Sequence, residues 1–77
     1  MSALQTRTVW IGNRRTSVKL HPSIWEALDE VADRQGRTIH DVLIAIDRTR
    51  GATSLATAIR VYIVEFLREA LKEESSA

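Results

Sequence analysis

Between residues 15 and 20 the side chains alternate strictly, with Thr16, Val18 and Leu20 on one face and Arg15, Ser17 and Lys19 on the other. A period of two is that of a strand buried on one side only. Residues 7 to 11 also favour extended structure through Thr8, Val9 and Ile11, and Gly12-Asn13 interrupts the run with residues suited to a tight turn. Pro22 ends the strand and stands where helices begin. Ser23-Ile24-Trp25-Glu26 has the spacing of a capping box, with Ser23 as the N-cap and Glu26 reaching back. From there the period is helical. Ile24, Leu28, Val31 and Ala32 form one stripe with Trp25 at its edge, and Gly36 stops the helix.

Thr38 opens a second helix, with Asp41 three residues on as a weaker capping box. The apolar stripe is Ile39, Val42, Leu43 and Ile46; Asp47, Arg48 and Arg50 follow in a polar last turn, ended by Gly51. Thr53 or Ser54 caps a third helix carrying Leu55, Ile59, Tyr62, Ile63, Phe66, Leu67 and Leu71. Val61 and Val64 widen its apolar surface beyond one stripe, which predicts burial on more than one side. Residues 1 to 6 read as a flexible arm, 7 to 72 as one domain and 73 to 77 as a polar tail.

A chain of 77 residues buries only a thin core, and without cysteine it has neither disulfides nor thiolate metal sites to reinforce it. Association with another chain is the remaining route. A lone strand cannot satisfy its own backbone groups. Two short helices cannot enclose Ile24, Leu28, Val31, Ile39, Val42 and Ile46 between them. Pairing residues 15 to 20 antiparallel with the same residues of a second chain, about a two-fold axis, answers both needs. Thr16, Val18 and Leu20 then roof a joint dimer core. The expected fold is mostly α, with one short strand per chain forming an intermolecular two-stranded ribbon, and a third, C-terminal helix. An intrachain hairpin, with residues 9 to 11 folding back over Gly12-Asn13, stays open beside this arrangement: a strand has two edges, so one can pair with the second chain and the other with residues 7 to 11, widening the ribbon into a small sheet.

Charge sharpens the picture. Residues 1 to 22 hold Arg7, Arg14, Arg15 and Lys19 and no acid, a charge of +4, whereas the remainder carries −3. Positive potential gathered on one segment suits a polyanion, although a solvated basic N-terminus has the same composition. The first residues lack the apolar run of a signal peptide, and no stretch is apolar enough to span a membrane, so a cytoplasmic location is expected. His21 and His40 are the only histidines and have no evident third ligand; no metal or other cofactor is expected. No triad spacing is present, and Gly51-Ala52-Thr53-Ser54 lacks the lysine of a phosphate-binding loop, so an enzyme is not expected. Trp10 and Trp25 read as packing residues before ligand-binding ones, although Trp10, beside the strand, is placed to lie near a polyanion bound there.

The order strand, proline, helix, Gly36-Arg37-Thr38, helix resembles the ribbon-helix-helix family, the Arc- and methionine-repressor-like DNA-binding proteins. Residues 14 to 20, followed by Ile24-Trp25-Glu26-Ala27-Leu28, are more similar to a bacterial subgroup. In that subgroup an Ile-Asp near the end of the second helix precedes a glycine-containing loop and a third helix. Ile46-Asp47, Arg50-Gly51, Ser54-Leu55 and Ala58-Ile59-Arg60-Val61 match it, so the resemblance runs over residues 7 to 69.

The resemblance implies a homodimer that binds double-stranded DNA sequence-specifically, as a transcriptional regulator of the repressor kind, with the ribbon in the major groove. Its base-contacting positions fall on Arg15, Ser17 and Lys19, and its phosphate anchor on Arg37, Thr38 and Ile39. Chemistry agrees with this placement. Arg15 can pair bidentately with guanine, Lys19 can reach the same atoms or a phosphate, and Ser17 specifies little. The start of the second helix offers free N–H groups and a positive dipole end to a phosphate, with His40 near by and Arg14 flanking the strand. The alternative is an antitoxin or other protein-interaction module that uses the third helix. An architectural protein without specific DNA binding is a third reading.

Overall fold

A computed structural model describes residues 3–76. Its elements are two strands, β1 (Gln5–Ile11) and β2 (Arg14–Leu20), followed by helices α1 (Pro22–Arg34), α2 (Ile39–Thr49) and α3 (Leu55–Ser76). The strands form one antiparallel sheet, running from Ile11 opposite Arg14 to Gln5 opposite Leu20. One strand per chain is therefore corrected to two. The hairpin held open in the sequence is the arrangement found, and its first strand extends beyond residues 7 to 11, back to Gln5.

Its two-residue loop explains the closure. Gly12 has φ +64° while Asn13 stays at negative φ, the pattern of a type II′ turn with glycine first. Such a turn twists with its strands and sets the register without slack. Gln5 and Thr6, expected in the arm, are the first residues of β1. Met1, Ser2 and Ala77 lie outside the described residues.

The helices start and stop largely where local chemistry directs. Pro22 occupies the first turn of α1, so the N-cap falls on His21, which makes no side-chain cap bond. The capping box read at Ser23 and Glu26 is thus displaced into the helix, because the proline at its start moves the boundary forward. At the other end Gly36 takes φ +65°; its N–H donates to Asp33 O and that of Arg37 to Ala32 O, the paired bonds of a Schellman stop. Thr38 caps α2 by accepting from Asp41 N at 3.0 Å, and Ser54 Oγ accepts from Thr57 N at the start of α3. The tail expected from residue 73 is helical as far as Ser76. The run Ala70-Leu71-Lys72-Glu73-Glu74 is made of strong helix formers and holds no glycine or proline to stop it.

The core closes within one chain. Val18, Leu20, Leu28, Val31, Val42 and Ile46, assigned above to a dimer core, are buried together with Trp25, Leu43, Ile59 and Ile63; Thr16, Ile24 and Ile39 are half-buried. Ile11 from β1 and Ile59 and Ile63 from α3 supply the cover expected from a second chain. Closure of this core therefore does not by itself require a dimer. α3 also departs from expectation. Its Ile59 and Ile63 are buried and Tyr62 and Phe66 half-buried, but Val61, Val64, Leu67 and Leu71 are exposed. The other elements of one chain cover one side of this helix and no more.

Candidate nucleic-acid interface

The hairpin turns one face to the helices and the other to solvent. Register and alternation place Val9, Ile11, Thr16, Val18 and Leu20 inward, and Thr6, Thr8 and Trp10 outward beside Arg15, Ser17 and Lys19. Across the outer face Trp10 stands opposite Arg15, Thr8 opposite Ser17 and Thr6 opposite Lys19. All six are exposed, and residues 3 to 20 contain no acid. Among the described residues Arg15 and Lys19 make no ion pair or side-chain hydrogen bond. Arg7, Arg14, Arg34 and Arg37, by contrast, are all engaged within the chain.

The same register decides where the backbone points. A two-residue hairpin closes on a hydrogen-bonded pair, here Ile11 with Arg14, and such pairs then alternate along the ladder. The peptide groups of Arg14, Thr16, Val18 and Leu20 are thereby directed at β1. Those of Arg15, Ser17 and Lys19 are directed at the other edge of β2, which has no strand beside it in this two-stranded sheet.

The start of α2 adjoins this surface on its β1 side. Thr8, Val9 and Trp10 line a shallow groove with Ile39, His40 and Leu43. Ile39 is half-buried, so its backbone rather than its side chain is available to a ligand, and His40 is exposed. The Thr38 hydroxyl accepts the cap bond from Asp41 N, leaving its own O–H to donate outward. Arg37 is held in place, its guanidinium donating to Gln35 Oε1 at 3.0 Å and to Asp41 O at 3.1 Å. The hairpin is moored at its open end by Trp25, whose indole N–H donates to Gln5 O at 2.9 Å.

The turn end is moored differently. Arg14, expected to flank the strand as a phosphate contact, donates to both carboxylate oxygens of Asp47 at 3.3 Å. Arg50 Nε donates to the same carboxylate at 2.7 Å and its Nη1 to Thr53 O at 2.8 Å. The Arg50 hydrogen bond, with the Arg14 charge adding to it, holds the Asp47 carboxyl below its ordinary range even though partial desolvation works the other way. A depressed carboxyl stabilises the fold above its unfolded pKa and loses that contribution as pH falls through the folded value. The melting temperatures of the wild type and Asp47→Asn are therefore expected to differ at neutral pH and to converge on acidification below the usual aspartate range. A difference that stays constant with pH would contradict this role.

A family model for the ribbon-helix-helix domain matches residues 4–67, well over half of the chain. The chain belongs to the ribbon-helix-helix family. No curated protein and no solved structure gives a significant match. Membership brings a general association with DNA-binding regulators and antitoxins, and with dimerisation. No described helix is long and apolar enough to cross a membrane, and the described residues hold no cluster of metal-ligating side chains.

The three outward positions of the ribbon-helix-helix strand, Arg15, Ser17 and Lys19, lie together on one exposed face, as the alternation predicts. Arg37, Thr38, Ile39 and His40 gather at the start of α2. Arg14 stands apart, in its ion pair with Asp47. Residue-by-residue reading did not single out Thr6 and Thr8 as part of the outer face, and it placed Trp10 beside the strand without fixing the face it occupies. The available signal was the strand-favouring composition on both sides of Gly12-Asn13, a turn that folds residues 5 to 11 back along β2.

Proposed function

We propose that the chain is a sequence-specific duplex-DNA-binding protein that acts as a homodimer, a transcription regulator of repressor-like kind working in the cytoplasm. The observation that carries this reading is the outer face of the hairpin. It presents two exposed cations without partners among the described residues, on a two-stranded sheet, has no acid within it, and adjoins a helix N-terminus. Pairing of β2 with β2 of a second copy would use the backbone groups directed at the open edge. It would also set Arg15, Ser17 and Lys19 of both copies side by side as a ribbon of major-groove width. Arg15 then reads guanine, Lys19 reads guanine or holds phosphate, and Ser17 contributes little selectivity. The start of α2, with Thr38, His40 and the N–H groups of its first turn, anchors phosphate and orients the dimer.

Selection of bound sites from a random duplex pool tests this. An enriched inverted repeat is expected, because a two-fold protein reads two like half-sites. Absence of any enriched sequence would contradict sequence-specific binding.

One observation favours a second reading. Val61, Val64, Leu67 and Leu71 leave an apolar strip exposed along α3, of the kind a protein partner covers. An antitoxin-like module would use this strip, with or without the hairpin.

A further inference from the structure

We infer that Trp10 belongs to the DNA-contacting surface, its indole lying against sugar and base edge at the groove wall between Arg15 and the start of α2. This rests on the duplex-binding reading above and adds to it a contact from β1, a strand outside the ribbon itself.

Three features of the structure converge on Trp10. The first is its exposure. It is 53% exposed on a sheet face, whereas Trp25 is 1% exposed in the core. An indole is the largest apolar side chain, and on the solvent side of a strand about half of this one is open to a ligand. The second is its position in the register. Trp10 faces Arg15 in a pair that is not hydrogen-bonded, the kind in which opposed side chains lie closest. The third is its other neighbour. Trp10 lines the groove with Ile39 and His40 at the start of α2. A ligand that reaches both Arg15 and the first turn of α2 has to cross Trp10.

The chemistry of the face selects the ligand. An apolar protein surface laid over Trp10 would also cover Arg15 and Lys19, which have no partners among the described residues, and burying an unpaired charge is costly. Duplex DNA offers phosphates to the cations, and deoxyribose and thymine methyl groups to the indole. Dimensions fix where the contact falls. Strands lie about 4.8 Å apart, and the major groove is about 12 Å wide. The two central strands of a paired-copy sheet therefore enter the groove, and β1 on each flank meets its wall. Thr6 and Thr8, outward on the same strand, present their hydroxyls to the same wall.

Acrylamide quenching of tryptophan fluorescence reads this directly in the full chain, because Trp25 is buried and the quenchable emission is that of Trp10. Adding a mixed-sequence duplex pool is expected to protect Trp10 from quencher in step with binding. Trp10→Ala is expected to keep the circular dichroism and unfolding midpoint of the wild type and to bind duplex roughly tenfold more weakly. The salt dependence should be unchanged, since no charge is removed. Binding that leaves Trp10 as quenchable as before would overturn the inference while leaving the DNA-binding reading in place. Protection that follows protein concentration without DNA would overturn it too, assigning the indole to contact between copies. Failure to bind any duplex would remove both.

Discussion

Trp25→Ala is expected to remove about 3–5 kcal/mol of stability, the range for truncating a large buried aromatic. A domain of this length has a total of roughly 4–12 kcal/mol to lose, so the variant should be largely unfolded at modest denaturant or temperature. The size of the effect follows from what the side chain joins. Trp25 is 1% exposed, packs within the core that Leu20, Leu28 and Ile59 share, and donates from its indole to Gln5 O at 2.9 Å. Arg7 lies over the ring at 4.7 Å from its centroid, itself 3.9 Å from Asp29. The stacked cation adds ~0.5–1 kcal/mol at an exposed site, and the exposed ion pair little. Loss of the indole thus opens the core and unmoors the hairpin from α1 in one step. Urea unfolding followed by circular dichroism measures it. A loss below ~1 kcal/mol would contradict the docking of the hairpin on α1, since that is what an ordinary substitution costs.

How much of this was legible depends on which residues obey the binary pattern. β2 obeys it: Thr16, Val18 and Leu20 go inward and Arg15, Ser17 and Lys19 outward, so strand, faces and candidate contacts all follow from alternation. α2 and its Thr38 cap follow from the helical period and local capping chemistry in the same way. β1 breaks the pattern at two positions. Arg7 points inward because Trp25 gives its guanidinium a ring to lie on, and Trp10 points outward, so hydrophobicity read residue by residue misplaces both. The pairing of β1 with β2 hangs on Gly12, whose turn suits a hairpin but does not exclude pairing with another chain.

α3 shows the opposite error. Its wide apolar surface implies two buried sides, and one chain covers a single side, because apolar residues mark surfaces that need covering without saying what covers them. The network around Asp47 was invisible for another reason: Arg14 and Asp47 are far apart in sequence, and only the folded hairpin brings them within 3.3 Å.

Replacing Arg15 and Lys19 together by alanine is expected to abolish measurable duplex binding at physiological salt while leaving the fold intact. Both side chains are exposed and have no partner among the described residues, so each replacement should change stability by no more than about 0.5 kcal/mol. In a paired-copy ribbon four cations leave the groove. At only ~1 kcal/mol each, the lower end for a good base contact, the loss approaches a thousandfold in affinity.

The outward face of β2 is thus the most direct place to test the proposed function, by titrating duplex with wild type and double variant across a range of salt concentrations. Wild type is expected to bind with log affinity falling linearly in log salt, by about 0.9 per phosphate neutralised. The double variant, folded and equally helical, is expected to show no binding. A folded double variant that binds as tightly and with the same salt slope as wild type would contradict the assignment of DNA recognition to the hairpin.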